Sequence, residues 1–211
     1  MKKTVYLGNN TKMFKYRTPK ELQEEAKRYG ISIGYEVTVG DYVGISNNVT
    51  IGDDAVIGSN AKVGYGATIG DNATIRNGAR IGDYSTIGNA VRIGSRSRIG
   101  DYCTIDDGAK IRHWCTIGKN VTIADNLTIL TRAKIKDGWK IENIVHLRNE
   151  YRYHVSGYIV DGTIIIQLGC YTRTLTEWEN DFWNNNEFKK GTPEGEQRLR
   201  AFEKIKKIME K

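Results

Sequence analysis

The run Ile69-Gly70-Asp71-Asn72-Ala73-Thr74, Ile75-Arg76-Asn77-Gly78-Ala79-Arg80, Ile81-Gly82-Asp83-Tyr84-Ser85-Thr86 decides how the rest of the chain is read. Each phrase opens on a large aliphatic residue and passes through Gly or Arg and two turn-prone residues. It returns through a small residue and one that suits a strand. Outward from this run the aliphatic place recurs at every sixth residue without a break. It begins at Ile33, Val39, Ile45, Ile51, Ile57 and Val63, and continues through Ile87, Ile93, Ile99, Ile105, Ile111, Ile117, Ile123, Ile129, Ile135 and Ile141 to Leu147. Four residues after each comes a second, mostly smaller column that includes Val37, Val49, Ala61, Ala73, Ser85, Ser97, Cys103, Cys115, Leu127 and Ala133. A period of six is neither the helical period nor plain strand alternation. It predicts stacked coils, none of which can bury its core alone. A short strand places the aliphatic and the small residue inside, while Gly, Asn and Asp accept the dihedrals of the corners. Successive coils then pair at about 4.8 Å.

This pattern resembles the hexapeptide-repeat family. The resemblance implies a mainly β fold, a left-handed parallel β-helix with three hexads to each triangular coil, here about six coils over residues 33–147. It also implies a homotrimer, and often an acyltransferase using acyl-CoA or an acyl-carrier protein. One fold hosts many chemistries, so function rests on the site.

The flanks divide into two. Residues 1–32 read as an extended lead-in followed by a capping helix: Thr18 caps, Pro19 takes the first helical place, Glu21 completes a capping box, and Gly30 ends the helix. Residues 148–211 read as a small α+β module. In it, strands over 153–160 and 163–170 meet at Asp161-Gly162, a helix starts at Thr174 with Glu177, and a last helix starts at Thr192-Pro193. Gly169-Cys170 followed by Thr174 and Trp178 is similar to a terminal module found after hexapeptide repeats in phage and bacterial proteins.

The formal charge of +7 points to anionic partners. No nucleic-acid module accompanies it, so nucleic acid is not the expected partner. No apolar run reaches the length of a membrane span, and the start Met1-Lys2-Lys3 leads into polar sequence, so the expected compartment is the cytoplasm. Three cysteines make an odd count. Cys103 and Cys115 fall on the inward column and read as buried thiols. Cys170 reads as a packing residue, and without CxxC or paired-His spacing no metal site is expected.

Taking every eighteenth residue sorts the charge by corner. Glu36, Asp53, Asp54, Asp71, Asp107 and Asp125 come to one corner, and Tyr65, Tyr84 and Tyr102 to another, beside a column of Thr50, Thr68, Thr86, Thr104 and Thr122. A third region gathers Lys62, Arg76, Arg80, Arg96, Arg98, Arg112, Arg132 and Lys134, with His113 and Trp114. Stacked like charges repel. A neighbouring subunit's acidic corner, a bound anion or solvent would each offset that repulsion.

Ile111-Arg112-His113-Trp114-Cys115-Thr116-Ile117-Gly118-Lys119-Asn120 resembles the segment that carries the catalytic histidine in UDP-N-acetylglucosamine acyltransferases. By that resemblance His113 is the general base that deprotonates a sugar hydroxyl or amine. The family follows this histidine with Asp, which orients the ring; here the place holds Trp114. Two readings result. In one, the cations hold acyl-CoA or an acidic carrier and His113 is the base. In the other, a non-catalytic trimer binds a phosphorylated small molecule such as a nucleotide, with Trp114 on its base and Arg76, Arg80, Arg96, Arg98, Arg112, Arg132 and Lys134 about its phosphates. A purely structural trimer is a third. His146 and His154 read as structural.

Overall fold

The computed structural model describes residues 2–9, 12–147, 155–169, 171–183 and 189–211. They form two compact units, Met1–Lys140 and Ile141–Lys211.

The first unit is a β-solenoid of about six turns, as the six-residue period requires. Its strands are two residues long almost throughout, and they stack eighteen residues apart into three parallel sheets. The first sheet takes Ser32–Ile33, Thr50–Ile51, Thr68–Ile69, Thr86–Ile87, Thr104–Ile105 and Thr122–Ile123. The second takes Thr38–Val39, Val56–Ile57, Thr74–Ile75, Arg92–Ile93, Lys110–Ile111 and Thr128–Ile129. The third takes Val43–Ile45, Lys62–Val63, Arg80–Ile81, Arg98–Ile99, Thr116–Ile117 and Lys134–Ile135. The aliphatic residue of each strand points inward and the residue before it outward. Ile45, Val63, Ile69, Ile75, Ile87, Ile93, Ile105 and Ile123 are completely buried, as are Ala55, Ala61, Ala67, Ala73 and Ala79 of the smaller column.

Two devices hold the coils together at the corners. The fourth residue of nearly every hexad is left-handed, whatever its type: Asn60, Asn72, Tyr84, Arg96, Tyr102, Trp114 and Arg132 all have φ between 55° and 64°. The third residue supplies a ladder. Its side chain accepts the backbone N–H of its equivalent one coil earlier, as Asp71 does from Asp53 at 2.8 Å, Asp83 from Tyr65 at 2.7 Å and Asp107 from Asn89 at 2.6 Å. Glycine is needed where backbone approaches backbone: a Cβ on Gly94 would lie 2.5 Å from the carbonyl carbon of Arg112. The inward polar residues are satisfied too. Ser97 Oγ donates to the Arg112 carbonyl at 2.7 Å and accepts from Cys115 N–H at 3.1 Å, and Cys115 Sγ donates to the Leu130 carbonyl at 3.0 Å. Burial raises the pKa of both the Cys103 and Cys115 thiols.

The lead-in is more ordered than a plain extended segment. Lys3–Leu7 and Lys12–Tyr16 form an antiparallel hairpin, and Lys3–Leu7 joins the third sheet beside Val43–Ile45. Alternation explains it: Val5 and Leu7 are buried against the first coil. Helix α1, Pro19–Lys27, follows with Thr18 as its N-cap. It buries Leu22 and Ala26, and Gln23 Nε2 donates to the carbonyls of Ile33 and Gly34 at 3.2 and 2.8 Å. Those contacts place α1 over the first coil of the solenoid.

The second unit begins earlier than the repeat implies. Ile141 and Leu147 continue the six-residue period, yet both lie in the eight-residue strand Lys140–Leu147, which pairs antiparallel with Val155–Val160. Val155–Val160 pairs on its other side with Thr163–Leu168, and that strand with Tyr171–Thr174. Helix α2, Leu175–Asp181, starts from the expected capping box of Thr174 and Glu177, and α3, Pro193–Met209, from Thr192. Trp178, Phe182, Phe202, Ile205 and Met209 pack with Val155, Ile166 and Leu168 as the core. Trp178 Nε1 donates to the Ile166 carbonyl at 2.8 Å. Arg198 is buried here as well, its guanidinium 5.1 Å from the Trp178 ring and 5.3 Å from Tyr171. His146 Nδ1 lies 2.8 Å from Ser156 Oγ on the paired strand. Cys170 and His154 lie outside the described residues.

Candidate functional site

The corner between the second and third sheets collects the basic residues. Its successive turns are Asp41-Tyr42, Ser59-Asn60, Arg76-Asn77-Gly78, Ser95-Arg96, Arg112-His113-Trp114 and Thr131-Arg132. Arg76, Arg96, Arg112 and Arg132 are all exposed on it. The remaining sequence candidates are near but not on the corner. Arg80, Arg98 and Lys134, with Lys62, form the outward column of the third sheet, in the register Lys62, Arg80, Arg98, Thr116, Lys134. The predicted basic region therefore separates into a corner and an adjoining face.

Two further cations flank the corner from its other side. Arg92 and Lys110 are paired neighbours on the second sheet, both exposed. Grouping the sequence hexad by hexad assigns them to the acidic corner, because each closes a hexad that opens there. Reading strand by strand, with the outward residue taken together with the turn that follows, would have found them. Among the described residues none of these ten cations has a carboxylate partner; the solenoid's ion pairs lie elsewhere, as with Lys119 and Asp101 at 2.9 Å. At a separation of one coil, about 4.8 Å, stacked guanidiniums repel unless an anion lies against them.

His113 is a rung of the corner ladder. Its Nδ1 accepts the backbone N–H of Ser95 at 2.9 Å, the place that Asp, Asn or Ser fills elsewhere. The neutral ring therefore carries its proton on Nε2. A half-buried imidazole held this way presents an N–H donor to the outside, whereas a general base needs a free lone pair there. Trp114, next along, is 51% exposed, and the Arg96 guanidinium lies 4.7 Å from its ring centroid. Donors thus converge on this corner from Arg96, Arg112, Arg132 and His113, with an indole at their centre. That set suits phosphate oxygens.

Two stretches, residues 48–83 and 96–131, match the family model described as bacterial transferase hexapeptide (six repeats). Over these two stretches the chain carries hexapeptide repeats of that family. No curated protein sequence matches this hexapeptide-repeat chain. Among solved structures it is similar to a variant of perosamine N-acetyltransferase from Caulobacter crescentus in complex with CoA and GDP-perosamine, at 21% identity and a TM-score of 0.43, covering 52% of this chain and 57% of that one. It is also similar to the acetyltransferase domain of PglB from Neisseria gonorrhoeae in complex with acetyl coenzyme A, at 17% identity and a TM-score of 0.43, covering 58% and 60%. A third is UDP-N-acetylglucosamine acyltransferase from Campylobacter jejuni, at 14% identity and a TM-score of 0.22, covering 86% and 81%. The chain thus spans under two thirds of the length of the first two. Among the described residues no group of His, Cys, Asp and Glu could hold a metal ion, and no helix is long and apolar enough to cross a membrane.

Proposed function

We propose that the basic corner binds a phosphorylated small molecule and that acyl-CoA is its first candidate, the protein acting as an acyltransferase-like member of the hexapeptide repeats. The observation that carries this reading is the uncompensated set Arg76, Arg96, Arg112 and Arg132 around an outward His113 N–H and an exposed Trp114. CoA offers a diphosphate and a further phosphate to the guanidiniums and an adenine to the indole. An acyl-carrier protein would present one phosphate and an acidic surface to the same cations. The assembly proposed with it is a homotrimer in which the exposed acids Glu36, Asp54, Asp71, Asp107 and Asp125 approach the basic corner of the next copy. Such a ring turns the second sheet inward and leaves the first and third outward.

One observation favours a second reading, non-catalytic binding of a nucleotide-type ligand. The Nδ1 lone pair of His113 is occupied by Ser95, and the residue after it is Trp rather than an orienting carboxylate. His113→Asn separates the two. The Asn side-chain oxygen can keep the ladder bond, as Asn89 does from Asp71 at 2.9 Å, while the imidazole is lost. Acetyl-CoA and nucleotides are titrated against melting temperature, and release of free CoA is followed with an amino-sugar acceptor. If acetyl-CoA stabilises the protein and the variant loses turnover by a hundredfold or more (~10²–10⁴) with melting unchanged, His113 is the base. Weaker binding with nothing consumed identifies a binding protein. Absence of stabilisation by either ligand class overturns the corner as a phosphate site.

A further inference from the structure

The face of the third sheet is a separate surface. Its outward residues are Lys62, Arg80, Arg98, Thr116 and Lys134, all exposed, in unshifted parallel register. Four of those five are cations and none is an acid. Among the described residues no ion pair engages Lys62, Arg80, Arg98 or Lys134. A β-solenoid strand is short and straight, so the column presents its charges along one rigid line rather than around a concave pocket.

Aromatic residues border this face on both sides. Trp114 stands on the basic corner, and Tyr84 and Tyr102 on the opposite one, exposed by 51%, 50% and 58%. Each ring has a face covered by a neighbour. Tyr84 and Tyr102 stack on each other with centroids 5.3 Å apart and planes 10° from parallel, and Tyr65 meets Tyr84 edge-on at 5.3 Å. Arg96 covers one side of Trp114. Single-stranded nucleic acid and sugar rings bind aromatic faces, so a column of rings stacked on one another is poorly suited to either. Ring edges and phenol hydroxyls remain on the outside. Tyr and Trp set beside Lys and Arg in that fashion match the headgroup zone of a lipid bilayer, where an amphipathic ring sits between apolar and wet layers. Each carboxylate on the tyrosine corner places one oxygen in the ladder: Asp83, Asp101 and Asp137 accept backbone N–H bonds from Tyr65, Asp83 and Lys119 at 2.7, 3.1 and 2.9 Å. Asp101 is neutralised further by Lys119 at 2.9 Å.

From this charge complementarity and the stacked tyrosines beside it, we infer that the third-sheet face docks the protein on an anionic lipid surface as a peripheral, reversible contact. The face is distinct from the corner that holds the small molecule, and it stays outward in the proposed trimer.

The experiment is flotation of the full chain with vesicles of phosphatidylcholine alone and with roughly three tenths phosphatidylserine. It is repeated with Arg80→Ala/Arg98→Ala and, as a control on the corner, with Arg112→Ala/Arg132→Ala. Binding is expected only to the anionic vesicles and should fall with added salt. Removing two surface cations should lower partitioning roughly thirtyfold. Circular dichroism and CoA-dependent melting of the Arg80/Arg98 variant should be unchanged, and the Arg112/Arg132 variant should retain the larger part of vesicle binding while losing CoA. Equal binding to neutral and anionic vesicles, full binding by the Arg80/Arg98 variant, or capture of a single-stranded oligonucleotide in place of vesicles overturns the inference. Loss of CoA binding alone leaves it standing.

Discussion

Trp114 occupies a backbone position that disfavours it. Its φ of 62° is left-handed, where a non-glycine residue costs about 1–2 kcal/mol, and the same column holds Asn60 and Gly78 in earlier coils. The stack with Arg96 returns about 0.5–1 kcal/mol at an exposed site. These nearly cancel, so packing gives no reason for a tryptophan there. Trp114→Asn is therefore expected to leave stability unchanged or to raise it by up to about 1 kcal/mol, because Asn tolerates the left-handed region. If the indole serves the ligand, the same change should weaken CoA binding several-fold. Urea unfolding and calorimetric titration read the two effects separately, and a drop in stability beyond about 1 kcal/mol would make the ring structural. His113 illustrates the limit of reading residues singly. Its presence on a corner was visible in the sequence, but its bond to Ser95, eighteen residues away, was not. That bond decides which ring nitrogen faces outward.

At the scale of elements, what the sequence conveyed depended on how local the signal was. Thr174 with Glu177 and Thr192 with Pro193 mark helix starts within four residues, and α2 and α3 begin there. The hairpin of Lys3–Leu7 with Lys12–Tyr16 was harder to foresee, because its first strand is fixed by Val43–Ile45, some forty residues on. The strand Lys140–Leu147 keeps the six-residue period yet pairs as an ordinary antiparallel strand. Periodicity reports which side chains turn inward, not what covers them. The corners carry the prediction at this scale. Burial beside Asp125 and Asp107 raises the Asp106 pKa, a sign of crowded negative charge at the acidic corner. If that corner meets the basic corner of another copy, Glu36→Lys/Asp54→Lys should dissociate the trimer, since neither carboxylate serves a ladder bond seen at this corner. Light scattering at low salt should then give the mass of one chain, against three for the parent protein. An identical mass for both rejects this interface.

At the scale of the molecule, fold and function respond differently to length. Nearly every hexad presents the same inward pattern, an aliphatic and a mostly smaller residue, so most hexads can take any of the three sides without emptying the core. The outward residues lack that equivalence. Arg96 lies under Trp114, and Arg98 beside Arg80, only because eighteen residues make one turn. This is why the sequence was clear on the fold and reticent on the site: the core repeats every six residues, while the surface has meaning only every eighteen. Removing residues 51–68 takes out one whole coil above the site and returns Thr50 to a strand end equivalent to its own. The protein should fold, lose one coil's share of stability, and still bind CoA. Removing residues 99–104 takes out one side of a coil. The chain should again fold, but Arg112, His113 and Trp114 then move to the corner that carries Asp54 and Asp71, away from Arg96. Far-ultraviolet circular dichroism should be nearly the same for the two deletions, while ligand binding survives only in the first. If both deletions bind, the ligand does not need the corner; if the six-residue deletion fails to fold, the outward ladder of Asp, Asn and His contributes more to the solenoid than its aliphatic core.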